Sequence, residues 1–342
     1  MGVAGGWTAG VWILRGAAMT LTAFLHGYPP GWSMGGEIST HRTLAVVPGA
    51  TVFTQSTVDG YVLDGVTVLP SSGSTFQNIM ADAGAVEASV LFAHSTLSQA
   101  TVRAARRLRK PSILAVHAPP RFAADLRRAW PAATVRLYNT EAARKEWHDP
   151  KGWLLHPPVG QPKEMVEGPQ DALTLTSSLL NKGASQTLEL ARRWPHRRFI
   201  IVRSPAHGTH GSTDFEDVAA TLDNVEVWDR IHPTQMGRLW AETKILLVPS
   251  RYETYGLSAL EAAWHGIPSV HVDTVHVREG IGTAARLLQS QTVEELGSAV
   301  LDVEEDFTRW AAMAHSRVHE LRQRELRELD AFAGGVAGLA LR

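Results

Sequence analysis

The chain has 342 residues and a formal net charge of −1, so no overall basic field collects nucleic acid. It has no cysteine, which excludes disulfides and thiolate metal sites, and no apolar stretch reaches membrane-spanning length. With 44% hydrophobic and 20% charged residues it reads as a soluble globular chain, long enough for two domains of ordinary size.

Residues 1–18 combine Gly, Trp and one Arg without the layout of a signal peptide. Met19 is followed at once by the apolar run Leu21–Leu25, so order is expected to begin there. Residues 1–18 are then expected to be a disordered extension from an upstream start codon. Leu21–Leu25, Thr51–Thr54, Val66–Leu69, Ser89–Phe92, Ile113–Val116 and Thr134–Tyr138 read as strands. Helical patterns lie between them at Gly36–Val46, Ser95–Leu108 and Phe122–Ala129. The basic run Arg103–Lys110 suits the polar face and carboxyl end of a helix, with peripheral contact to an anionic membrane surface as the alternative. Proline at 157, 158 and 162 marks a linker that continues through Lys163–Gln170.

The alternation then restarts. Leu173–Thr176, Arg198–Val202, Val225–Trp228, Ile245–Val248 and Pro268–Val272 read as strands, and Gly183–Trp194 and Thr234–Lys244 as helices. From Thr292 the chain is helical, and the acidic cluster Asp302–Asp306 reads as a solvated helix face rather than a metal site. Such alternation predicts an α/β chain of parallel sheets with helices on both faces. The expected division is 19–160, 161–320 and a helical tail 321–342, with ligands bound beyond the carboxyl ends of the strands.

The most informative segment runs Pro249-Ser-Arg-Tyr-Glu253-Thr-Tyr-Gly256-Leu-Ser-Ala-Leu-Glu261, and ends in Gly266-Ile-Pro268. A strand closes at Pro249 and a helix starts near Gly256, so Glu253 falls in the loop and Glu261 in the second helical turn. Between them lie the free N–H groups of a helix N-terminus, suited to phosphate. Gly256 removes the side chain where a ligand would approach the backbone. A diphosphate flanked by two acceptors of sugar hydroxyls is a nucleotide-sugar site. Three further loops follow strands. Gly35-Gly36 opens a helix after the first strand, where the same loop holds His26 and Trp32, and His117 ends Ile113–Val116. Thr176-Ser-Ser-Leu-Leu-Asn-Lys182-Gly183 follows the first strand of the second half. No histidine spacing points to zinc.

The segment 249–268 resembles the signature of retaining glycosyltransferases of family 4, with Tyr255 in the usual Phe place. The resemblance covers roughly residues 19 to 320 and is strong around 245–273. It implies the GT-B fold, two doubly wound Rossmann-like domains facing across a cleft, with the last helix crossing back to the first domain at Thr308–Leu321. It also implies a metal-independent transferase without a cofactor, acting in the cytoplasm, whose donor is a nucleoside-diphosphate sugar. Glu261 would hold the ribose, N–H groups at Tyr255–Leu257 the β-phosphate, and Glu253 would lie near the sugar C1. His117 would face the donor sugar, and Gly35 and Gly36 the donor phosphates. Lys182 matches the family's diphosphate-binding lysine, whereas Ser177 stands in place of its arginine. Arg203, at the end of the strand Phe199–Val202, is the nearest substitute. The acceptor is not written in the chain, and a protein or nucleic-acid acceptor stays open. The rival reading is a non-catalytic nucleotide-sugar-binding protein, which Ser177 favours.

Overall fold

The structure is a computed structural model that describes residues 20–30, 35–162, 164–168, 170–204 and 213–341. The expected extension 1–18 and Trp32 lie outside the described residues.

The first half carries β1 (Leu21–Leu25), α1 (Gly35–Leu44), β2 (Thr51–Thr54), β3 (Tyr61–Leu63), β4 (Val66–Pro70), α2 (Phe76–Ala85) and β5 (Val90–Ala93). It continues through α3 (Ser98–Leu108), β6 (Ser112–Val116), α4 (Ala124–Ala129), β7 (Val135–Tyr138), α5 (Glu141–Glu146) and β8 (Trp153–Leu154). These strands form one sheet in the order β3-β4-β2-β1-β5-β6-β7-β8, parallel apart from the β3–β4 hairpin. All five residues of β1 are buried, as an apolar strand covered on both faces must be.

The second half carries β9 (Ala172–Leu175), α6 (Ala184–Arg193), β10 (Phe199–Val202), α7 (Thr213–Ala220), β11 (Val225–Trp228), α8 (Met236–Glu242) and β12 (Thr243–Val248). Next come α9 (Leu257–Trp264), β13 (Ser269–Val272), β14 (Arg286–Leu288), α10 (Val293–Glu305) and α11 (Phe307–Ala340). Its sheet is parallel, in the order β11-β10-β9-β12-β13-β14. The expectation of an α/β chain with two doubly wound sheets holds. In each sheet the strand order reverses beside the first strand, between β1 and β5 and between β9 and β12. The loops leaving the carboxyl ends on either side of such a point diverge and open a crevice.

The helix expected over Thr234–Lys244 ends earlier, at Glu242. Thr243 instead opens β12, its hydroxyl bonding to Leu239 O at 2.7 Å and Thr174 Oγ1 at 2.9 Å. The crossing also falls later than the expected Thr308–Leu321. Helix α11 is 34 residues, about 50 Å long at 1.5 Å per residue. Ala314, Val318 and Leu321 pack on the second half with Leu260 and Ala263 of α9. Leu329, Phe332, Val336 and Leu339 enter the core of the first half with Leu21, Leu25, Val52 and Val90. Residues 321–340 are therefore the crossing itself, not a separate tail.

The far end of α11 lies flush on β8. A Cβ added at Gly335 would fall 2.6 Å from the Trp153 ring, which packs edge-on against Phe332, whereas one at Gly334 would meet open space. Gly to Ala inside a helix ordinarily stabilises by about 0.5–1 kcal/mol. Gly334→Ala should therefore raise the melting temperature and Gly335→Ala should lower it. A rise in both by thermal unfolding would show that β8 and α11 are not in this close contact.

Candidate active site

At the reversal between β9 and β12 the two loops do not simply diverge, because they are held together at one point beside the crevice. Gly183 has φ +95°, and a Cβ there would lie 2.4 Å from Pro249 Cγ, so only glycine admits the approach. The backbone N–H of Arg251 donates to Asn181 O at 2.8 Å and joins the loops again. Together these contacts bring Lys182 to Glu253, with Nζ 2.5 Å from Oε1. Ser250 Oγ donates to the same carboxylate oxygen at 2.8 Å. The Lys182 side chain is 34% exposed and that of Glu253 15%, so the lysine end of the pair remains open to solvent and to a ligand.

Helix α9 starts just beyond. Gly256 is its N-cap residue with φ +82° and has no side chain to cap the helix, and the N–H groups of Leu257 and Ser258 come too early in it for an intrahelical acceptor. The sequence assigns Gly256 to ligand approach. In the structure, the side of the residue where a Cβ would point is filled by His271, whose Nε2 would lie 2.7 Å from that atom. Glycine is required here by the positive φ and by this ring. Tyr255 is buried, and its hydroxyl accepts from Arg324 Nη2 of α11 at 2.6 Å. Burial pushes the phenol up to about 12. The side chain of Tyr255 is thus taken up by α11 and the core.

Glu261, on the second turn of α9, is half-buried: burial raises its carboxyl, and the charge of Arg42 acts in the opposite direction. Arg42 comes from α1 in the first half and donates to Pro158 O at 3.0 Å. Helix α1 itself begins at Gly35, and Gly36 O accepts from Thr40 Oγ1 at 2.9 Å. A Cβ at Gly36 would meet nothing, so packing does not demand glycine there.

At the carboxyl ends of the adjacent strands β1, β5 and β6 stand His26, His94 and His117. The rings of His94 and His117 stack with centroids 4.9 Å apart. Burial lowers His117, and burial with the two neighbouring imidazoles lowers His94 to about 3, so both rings are neutral at pH 7. His117 Nδ1 has no hydrogen-bond partner among the described residues, whereas His26 bonds to Gln55 and Thr96. Sequence reasoning missed His94, although it ends an apolar strand just as His26 and His117 do.

Ser177 and Ser178 stitch two loops rather than reach for a ligand. Ser177 Oγ lies 2.7 Å from Ser204 Oγ, and Ser204 N–H donates to Ser178 Oγ at 2.9 Å. Arg203 pairs with Glu216 at 2.8 Å and with Asp229. The structure thus joins Lys182 directly to Glu253 beside the Gly256–Leu257 turn and engages Arg203 with two other carboxylates.

Residues 176–306 match the family model described as glycosyl transferases group 1. No curated protein sequence matches significantly. The fold is that of GT-B glycosyltransferases of known structure. Anabaena HepE, solved in complex with UDP and glucose, superposes with a TM-score of 0.74 at 16% identity, covering 94% of this chain and 98% of that one. Sucrose-phosphate synthase from Thermosynechococcus elongatus gives a TM-score of 0.72 at 14% identity, over 94% and 98% of the two chains. WaaG, a glycosyltransferase involved in lipopolysaccharide biosynthesis, gives 0.67 at 15% identity over 92% and 100%.

Behind the crevice, one carboxylate network ties the two halves. Glu279 accepts from the N–H groups of Glu141 and Ala142, both at 2.7 Å, and so caps α5 from the other half. His156 lies between Glu279, 3.0 Å from its Nε2, and Glu328 of α11, 2.8 Å from its Nδ1. Burial opposes charge on His156, yet the two carboxylates outweigh it and raise the imidazole. A proton held more tightly in the folded chain stabilises it fully below the unfolded value, near 6.5, and less as pH rises through the raised value. The melting-temperature gap between wild type and His156→Gln should therefore shrink as pH rises from about 5.5 to 8.5. A gap independent of pH would mean that His156 is not charged in the fold.

Proposed function

We propose that this chain, a glycosyltransferase of GT-B fold, moves the sugar of a nucleoside-diphosphate sugar onto an acceptor with retention of configuration and without a metal ion. The observation that carries this reading is the Lys182–Glu253 pair at the open N-terminus of α9. A diphosphate at that terminus would draw Lys182 from Glu253, neutralising the leaving group as the bond to the sugar breaks. Glu253, released from its cation but still held by Ser250, would then face the positive charge developing at C1.

Glu261 would accept the two ribose hydroxyls, and neutral His117, at the carboxyl end of β6, would bond a sugar hydroxyl. In the front-face step, the acceptor oxygen bonds to C1 as the C1–phosphate bond breaks, and the departing phosphate oxygen takes the acceptor proton. No separate base is needed. The acceptor is a hydroxyl compound that the loops of the first half would select, and contact of α3 with a membrane surface would serve a lipid acceptor. The rival reading, a binding protein without catalysis, draws on the tie between Ser177 and Ser204, which leaves the expected arginine position without a cation.

A thermal-shift panel of nucleotide sugars that includes UDP-glucose should give at least one stabilising donor. Lys182→Ala should weaken that donor at least about tenfold, the scale of a charge-assisted hydrogen bond. Glu253→Gln should lower kcat more than affinity, Glu261→Ala affinity more than kcat, and EDTA should leave turnover intact. An inverted anomer by NMR, or inactivation by chelator, would reject the mechanism. A donor that binds but is neither transferred nor hydrolysed would establish the rival reading.

A further inference from the structure

His271 belongs to no part of the mechanism above, yet it lies directly behind it. The residue is on β13, is 0% exposed, and is flanked in the sheet by Val248 of β12 and Leu287 of β14. Its Nδ1 is 3.0 Å from the carbonyl of Val272. A carbonyl only accepts, so Nδ1 carries the hydrogen and Nε2 of the neutral ring presents a lone pair. That Nε2 has no hydrogen-bond partner among the described residues. It lies on the side of the ring that meets Gly256, against the backbone where α9 begins.

An imidazole nitrogen sealed from water and left without a donor is costly and rare in a folded core. Two charged groups act on it through space. Glu253, from the loop before α9, favours a proton on the ring, and Lys182, from the loop after β9, opposes one. In the free protein burial is the largest influence and keeps the ring neutral. Donor binding would reverse this balance, because the diphosphate brings negative charge to the start of α9 and takes Lys182 from Glu253.

We propose that His271 is a proton-linked positioning residue, taking a proton from solvent onto Nε2 when a nucleoside diphosphate settles at the start of α9. One N–H bond forms, the buffer supplies the proton, and no other bond changes. The imidazolium then adds its charge to the free N–H groups of α9 from behind. It supplies the second cation that Ser177, tied to Ser204, does not. This inference rests on the donor site proposed above.

The test is calorimetric titration of the full chain with whichever nucleotide sugar the panel selects, near pH 7.5, in buffers of different ionisation enthalpy. A nucleotide sugar suits the purpose because its doubly esterified diphosphate has no group titrating near neutrality. Wild type should take up close to one proton per donor, and affinity should fall about tenfold per pH unit where uptake is complete. His271→Gln, which keeps a polar side chain under Gly256, and His271→Ala, which removes it, should both bind donor without uptake. A role in packing alone would not move the proton count. Buffer-independent heats in wild type, or uptake that persists in both variants, would overturn the inference while leaving the donor site intact. No binding by any nucleotide sugar would overturn the donor site, and the inference with it.

Discussion

The close approach of Gly183 to Pro249 is the constraint on which the rest of the site depends. Without it, the loops leaving β9 and β12 would diverge, as neighbouring loops at a strand-order reversal do. With it, a lysine and a glutamate that are 71 residues apart in sequence meet at 2.5 Å. The pair is useful because it is incomplete. Glu253 is held by Ser250, while Lys182 has a single carboxylate partner among the described residues and partial exposure, so an incoming anion competes for one contact rather than for a network. Arg203 shows the opposite arrangement, with two carboxylates already engaged.

A second set of contacts keeps the crevice facing a wall. Glu279 caps α5 of the first half with its side chain, and its main-chain carbonyl accepts from Arg317 and Arg324 of α11. Tyr255, in the loop before α9, bonds to the same Arg324. The turn that would meet the phosphate is therefore mechanically joined to the helix that spans both halves.

Much of this was legible in the sequence wherever the signal was local. The run Leu21–Leu25 is apolar because it is buried on both faces, and its bounds were read directly from that run. The strand end, the positive-φ glycine and the helix start around Glu253, Gly256 and Glu261 were also legible, because each leaves a mark on nearby residues. Other features left none. Helix α2 was missed because Asn78 and Gly84 weaken its helical pattern, although Thr75 caps it. The strands β3, β8 and β14 have two or three residues each, too short for a period to show. His271 and His156 matter only through partners far along the chain, such as Glu279, 123 residues from His156, and no local pattern encodes such a pairing. Arg203 is a reasonable substitute for the missing arginine on sequence alone, because sequence gives a position beside Ser204 but not the carboxylates around it.

The four apolar residues of α11 that complete the first core set an order of events during synthesis. Leu21, Val52 and Val90 leave the ribosome well before Leu329, Phe332, Val336 and Leu339, with the whole second half made between them. At about 5–20 residues per second, the sheet of the first half waits about ten to forty seconds from Leu155 for its final helix. During that interval the second half can close around its own strands, while the older half exposes an apolar groove shaped for a segment not yet translated. The first half is thus begun before the second and completed only after it.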